Sequence, residues 1–253
     1  MPRQRALKPP ICYLCGDTIE GASNRDHVPP RHYFATRLRR QFNLDRLITL
    51  RTHVACNSAY REDEEYFSAA VAPLAIHTPT GLALVEDMFD RAANGSMTKL
   101  VNHSIAEFEE NPPEIVVPEG KIAKRIRRSR VERIIWKIVR GLFFHRHGEV
   151  LPESTPHAAR LLSPDEPVPD VYKYVVATEP LGPYATAFDY KNQLYQFATK
   201  AHDVWALLFW DGIIAFCAFP VDVEALPEIV PLAEAPDPGP RPDGPDDDED
   251  LVW

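Results

Sequence analysis

Six residues near the start of the chain have the types and spacing for chemistry at a metal ion: Cys12, Cys15, Asp26, His27, His53 and Cys56. Two residues separate Cys12 from Cys15 and His53 from Cys56, and a gap of that length lets one turn present both members of a pair to the same ion. Three thiols and an imidazole form a closed tetrahedral donor set of the kind structural zinc takes, which implies a scaffold and not a reaction. Two other readings stand beside it. One is a pair of reduced, buried cysteines with an unrelated histidine; the other is a dithiol redox motif, although no strand-helix thioredoxin-like context surrounds Cys12 and Cys15. Chemistry therefore falls to Asp26 and His27. A carboxylate is a hard oxygen ligand for a cation such as magnesium, and a neutral imidazole takes a proton from water. Neighbours on a regular strand face opposite sides, so serving one site requires a bend, and Pro29 and Pro30 end the strand that carries the pair.

The stretch from Cys12 to Phe67, roughly a quarter of the chain, resembles the HNH endonucleases, which have the ββα-metal fold. The resemblance is carried by Cys-x2-Cys, by Asp26-His27-Val28-Pro29-Pro30, by the strand Leu47 to Thr49, by the ligand pair ending in Cys56-Asn57, and by the acidic-aromatic run Asp63 to Phe67. It implies that His27 is the general base, that Asp26 and Asn57 hold a catalytic divalent ion, Mg2+ or Mn2+, and that Cys12, Cys15, His53 and Cys56 bind a separate structural Zn2+. The chain departs from the family twice: His53 stands where relatives usually carry cysteine, and the family's middle asparagine falls on Arg46. One base and one metal suffice to hydrolyse a phosphodiester, since one activates water and the other relieves charge. Helical spacing from Asn57 puts Arg61 and Glu64 on the same face, as a candidate phosphate contact and a supporting group behind the ion. The implied activity is metal-dependent endonucleolytic cleavage with DNA as the substrate, and the residues themselves do not separate DNA from RNA. A non-catalytic zinc-binding nucleic-acid adaptor is the alternative, kept open by Arg46; a protein-interaction module built on the C-terminal region is a third.

The elements that must position these residues give an α+β expectation over 253 residues. Residues 1–75 are read as a zinc-stabilised ββα-metal module, with a helix from about Ala55 to Ala72 burying Tyr60, Phe67 and Val71. Residues 76–150 form a helical middle, with helices over Thr80 to Ala93 and Thr98 to Glu109 and a basic amphipathic helix over 121–147. In that last helix Val131, Ile134, Ile135, Ile138, Val139 and Leu142 define an apolar face, while Arg133, Lys137 and Arg140 lie on another. Residues 151–230 are read as a small antiparallel sheet from β-branched and aromatic runs, among them VYKYVVATE, with a hairpin turn at Trp210-Asp211-Gly212-Ile213. Residues 231–253 form an acidic tail expected to be disordered.

Net charge is −9, yet Met1 to Arg61 holds eleven Lys or Arg against four Asp or Glu, while Pro236 to Asp250 holds seven acids against one Arg. Binding responds to the local field, so a nucleic-acid partner remains in view. The candidate contacts are Arg31, Arg37, Arg39 and Arg40 after the proline turn and Arg127, Arg128, Arg133 and Lys137 of the basic helix. The tail is then either a solubilising segment or an intramolecular competitor for that surface. No apolar run has membrane-spanning length, and four cysteines without a disulfide pattern fit a reducing cytoplasm, with Cys217 a buried thiol. Staggered double-strand cutting would require two active sites, for which a homodimer through the β region is one route. No partner protein for that region is indicated.

Overall fold

In the computed structural model, β1 (Ser23–Val28) and β2 (Ile48–His53) form an antiparallel hairpin with Asp26 opposite Leu50, His27 opposite Thr49 and Arg25 opposite Arg51. The residues described are 10–41, 47–95, 98–109, 116–117, 119–120, 122–162, 164, 166–177, 187–197, 200–221 and 251–252. Arg46 lies outside them, as does most of the acidic tail. Between the strands runs a short turn and α1 (Thr36–Gln41); after them come α2 (Val54–Ser58) and α3 (Arg61–Val71). The single helix expected from Ala55 to Ala72 is therefore broken at Ala59–Tyr60. The break turns Tyr60 inward, where its ring is 4% exposed and lies under the Arg133 guanidinium at 4.3 Å.

α4 (Pro79–Ala93) starts as sequence pattern requires, with Pro79 in the first turn and the Thr78 hydroxyl accepting from the Gly81 N–H at 3.0 Å. α5 (Thr98–Ala106) is shorter than expected because Phe108–Glu109 (β3) leave the helix to pair with β4 (Ala123–Ile126). The basic helix is correspondingly shorter at its start: α6 runs Arg128–His147, and the residues before it are strand. After β5 (Ala158–Leu161), the run read as a strand at VYKYVVATE folds instead as α7 (Asp170–Ala177). Its β-branched residues are overridden by packing, since Val175 is fully buried and Tyr172 stacks on Phe216 with centroids 3.9 Å apart. One long strand follows, β6 (Phe188–Phe197), then β7 (Lys200–Phe209) and β8 (Ile213–Val221), in a sheet of order β5-β8-β7-β6 that is antiparallel throughout.

The turn between β7 and β8 falls where expected. Trp210 and Asp211 take positive φ, 50° and 57°, an uncommon conformation for so bulky a residue as Trp. The cost is offset by anchoring: the indole Nε1 donates to the Tyr33 carbonyl at 2.7 Å, and the Thr78 hydroxyl donates to the Trp210 carbonyl at 2.6 Å. One hydrophobic core consequently runs from the Cys12 knuckle through the hairpin and α6 to Phe219 of β8, with a smaller cluster beneath α7. The tail is not without structure at its end, as Leu251–Val252 (β9) pair with β4 opposite Ile126 and Arg125. Among the described residues no helix is long and apolar enough to cross a membrane.

α6 is the seam of the molecule, packed against α3, the hairpin and the sheet. All six apolar-face residues named from the sequence are buried. It lies close against β1, where a Cβ added at Gly141 would stand 2.7 Å from Val28 Cγ2 and 3.3 Å from Tyr13 Cε2. Only glycine lets helix and hairpin approach so closely.

Candidate metal centre and active site

The donor atoms of Cys12, Cys15, His53 and Cys56 all lie within 4.8 Å of one another, and the set can hold a metal ion. Local structure brings them there. The first pair sits on a knuckle closed by the Gly16 N–H on the Cys12 carbonyl at 2.8 Å, with Gly16 at φ 84°, and the second pair sits where β2 passes into α2. His53 Nδ1 is 3.4 Å from Cys15 Sγ and 3.8 Å from Cys56 Sγ. Bonds of about 2.0 Å to nitrogen and about 2.3 Å to sulfur at a tetrahedral angle put such atoms about 3.5 Å apart, so the spacing fits one ion. His53 Nε2 is 3.3 Å from the Thr18 carbonyl; an N–H there donates to it and leaves Nδ1 free as the ligand. Burial pushes the Cys15 thiol up to about 12, with the neighbouring thiols adding to the shift. At Cys12 burial acts in the same direction, but backbone N–H groups at His53, Cys15 and Leu14 outweigh it and lower the pKa.

The hairpin divides the remaining site residues between two faces. Asn24, Asp26 and Val28 point inward, opposite Thr52, Leu50 and Ile48; Arg25 and His27 point outward, opposite Arg51 and Thr49. β1 keeps its register through Val28, so no bend brings Asp26 and His27 to one side before the cis Val28–Pro29 bond.

Inside, Asp26 is 4% exposed. Its Oδ2 accepts the Tyr13 hydroxyl at 2.6 Å and lies 2.8 Å from Lys137 Nζ. The same ammonium contacts Glu64 Oε1 and lies 3.5 Å from Asn57 Oδ1. Asn57 meets Asp26, as the resemblance implies, and Glu64 joins them across the break between α2 and α3, but around a lysine; Arg61, expected on the same face, pairs with Glu65 instead. Lys137, expected at a nucleic-acid surface, is 1% exposed, and burial explains why: its carboxylate partners lie on β1 and α3 beneath α6. Burial also pushes Glu64 above its ordinary pKa, against the pull of Lys137. Arg140, likewise 1% exposed, donates to the carbonyls of Leu14 at 2.5 Å and Leu151 at 2.8 Å, tying the knuckle to α6.

Comparison of the chain with protein-family models, with curated proteins and with solved structures gives no match.

Outside, Arg25 and Arg51 are exposed and directly opposite each other, and His27 lies half-buried beside them on the same face. Desolvation first, and then the Arg31 charge, hold His27 below its ordinary pKa, with Asp26 pulling the other way. Like charges directly across a ladder are destabilising, and Arg25, Arg31 and Arg51 have no ion-pair partner among the described residues. Neither Arg25 nor Arg51 is apparent as a site residue from motifs. The signal is the alternation Arg25-Asp26-His27-Val28 against Thr49-Leu50-Arg51-Thr52, which needs the register before it can be read. The other sequence candidates are largely engaged: Arg37 pairs with Glu86 at 2.7 Å, Arg39 donates to the Thr36 hydroxyl at 2.7 Å, and Arg61 pairs with Glu65 at 3.3 Å. Arg128 pairs with Glu132 at 2.7 Å and Arg133 with Asp63, while Arg127 is exposed and the Arg40 side chain lies outside the description.

Proposed function

We propose that the chain is an HNH-type nucleic-acid phosphodiesterase in which zinc at Cys12, Cys15, His53 and Cys56 is scaffold and His27 is the general base. The observation that supports this best is the outer face of the hairpin, where a half-buried imidazole with its pKa lowered by burial and the Arg31 charge shares a face with Arg25 and Arg51, on the strand pair whose other end carries His53 of the four-donor metal centre. A neutral His27 accepts a proton from water, the hydroxide so formed bonds to phosphorus as the P–O bond to one ester oxygen breaks, and the departing oxygen takes a proton from solvent. The arginines hold the phosphates on either side and offset the negative charge that develops on the phosphoryl oxygens. DNA is the substrate the resemblance suggests; the phosphate contacts proposed here serve RNA equally.

Zinc suits its site: three thiolates and one imidazole with a carbonyl behind the second ring nitrogen are the chemistry of a closed structural centre. The divalent ion expected at Asp26 and Asn57 does not fit in the same way. Lys137 Nζ stands 2.8 Å from Asp26 Oδ2 and 3.5 Å from Asn57 Oδ1, in the space the ion would take. No catalytic step is assigned to that ion.

The same lysine favours a second reading, a non-catalytic zinc-binding nucleic-acid adaptor that keeps the module without turnover. Incubating supercoiled plasmid with zinc-loaded protein, with and without added Mg2+ or Mn2+, separates the two. Nicking that disappears in His27→Ala while zinc content and plasmid binding persist is the expected result. Binding without cutting under every condition means the adaptor.

A further inference from the structure

We propose that Lys137 is the resident cation of the Asp26–Glu64–Asn57 cluster, a positioning residue whose ammonium is the shared counter-charge of the two carboxylates and excludes a divalent ion from them. The ammonium touches both acids and approaches the amide oxygen, and all three charged residues are 9% exposed or less. Asp26 Oδ2 already takes two donors, Lys137 Nζ and the fully buried Tyr13 hydroxyl at 2.6 Å. A magnesium-class ion requires near-octahedral oxygen ligands at about 2.0–2.1 Å. It cannot share that space with an ammonium, because the two cations repel at contact distance in a poorly solvated site.

Lysine normally escapes such a position by extending its stem toward water. Here α6 is held in place on both sides of that option. Arg140, one turn further along, is fixed to the Leu14 and Leu151 carbonyls, and Gly141 lies against Val28, so the helix can neither rotate nor lift to carry Lys137 away. α6 comes from a part of the sequence far outside the stretch that resembles HNH enzymes, so the cluster's cation is supplied by this chain's own architecture.

The inference rests on the proposed function only for what an ion at this cluster would mean. Its test reads ion occupancy and not cleavage, so a nuclease that cuts and an adaptor that does not are equally open to it. Mn2+ binding to zinc-loaded protein is followed by electron paramagnetic resonance for wild type, Asp26→Asn, Lys137→Ala and the double variant. Wild type is expected to bind no more Mn2+ than Asp26→Asn. Lys137→Ala is expected to gain one site, with affinity raised at least about 100-fold by removal of a contacting charge, and to lose it in the double variant. If Lys137→Ala is unfolded without the ion, the same gain is expected as Mn2+-dependent recovery of its helical circular dichroism. One Mn2+ bound by wild type and lost in Asp26→Asn overturns the proposal. So does a folded Lys137→Ala with no new site, or an unfolded one that Mn2+ does not restore.

Discussion

Two cationic regions of this protein look alike in sequence and differ in what their charges meet. On α6, Arg130 and Arg133 are paired with Asp63 and stacked over Tyr66 and Tyr60, Lys137 is enclosed by Asp26 and Glu64, and Arg140 is bound to main-chain carbonyls. On the outer face of the hairpin, Arg25 and Arg51 stand opposite each other at the surface with no ion-pair partner among the described residues. The denser cluster serves packing, and the sparser one is open to a ligand. Charge count along a chain therefore says little about where an anion binds; what matters is which charges the fold leaves without a partner.

The largest expected effect breaks the inward set. Lys137→Met leaves Asp26 and Glu64 buried without a counter-charge and is expected to cost about 3–5 kcal/mol of unfolding free energy in urea denaturation. A loss below about 1 kcal/mol would place the ammonium in solvent and erase the contrast with Arg51. Next comes Asp203 on β7, 2% exposed, whose pKa burial raises from 3.8 to about 6 despite the Asn192 hydrogen bond. Because the folded value exceeds the unfolded one, the stability this group contributes is fully present below pH 3.8 and is lost as pH rises through about 6. Asp203→Asn is expected to be more stable than wild type by about 2–3 kcal/mol at pH 8 and equal to it at pH 3. Denaturant midpoints across that range check both the sign and the window. A smaller effect reads the contact between the two regions themselves: Gly141→Ala drives a methyl into Val28 and is expected to cost about 1–3 kcal/mol, by the same denaturation assay.

Much of the metal centre was legible in the sequence because its geometry is local. Two short gaps bring Cys12 to Cys15 and His53 to Cys56 whatever the rest of the chain does, and strand pairing of Ser23 with His53 completes the set. The apolar face of α6 was legible for the same reason, since helical period alone selects Val131, Ile134, Ile138 and Leu142. Its polar face was not. Whether Lys137 and Arg140 meet water or buried acceptors depends on Asp26, Glu64 and Leu14, which are distant in sequence. The sequence of α7 reads as a strand because Tyr172, Val175 and Val176 have β-type side chains, and only the sheet they pack on decides that they wind into a helix. The outward arginines were hidden in plain alternation, waiting on a register that the sequence does not display.

The most direct measurement is the salt dependence of binding to a short DNA duplex, comparing Arg51→Ala with Arg128→Ala. Each phosphate contact contributes about 0.9 to the slope of log K against log salt. The expected result is a slope smaller by about 1 for Arg51→Ala, with Arg128→Ala, whose guanidinium pairs with Glu132, unchanged from wild type. A loss of slope in Arg128→Ala with none in Arg51→Ala would put the nucleic acid on α6 and contradict the assignment of the open hairpin face as the binding surface.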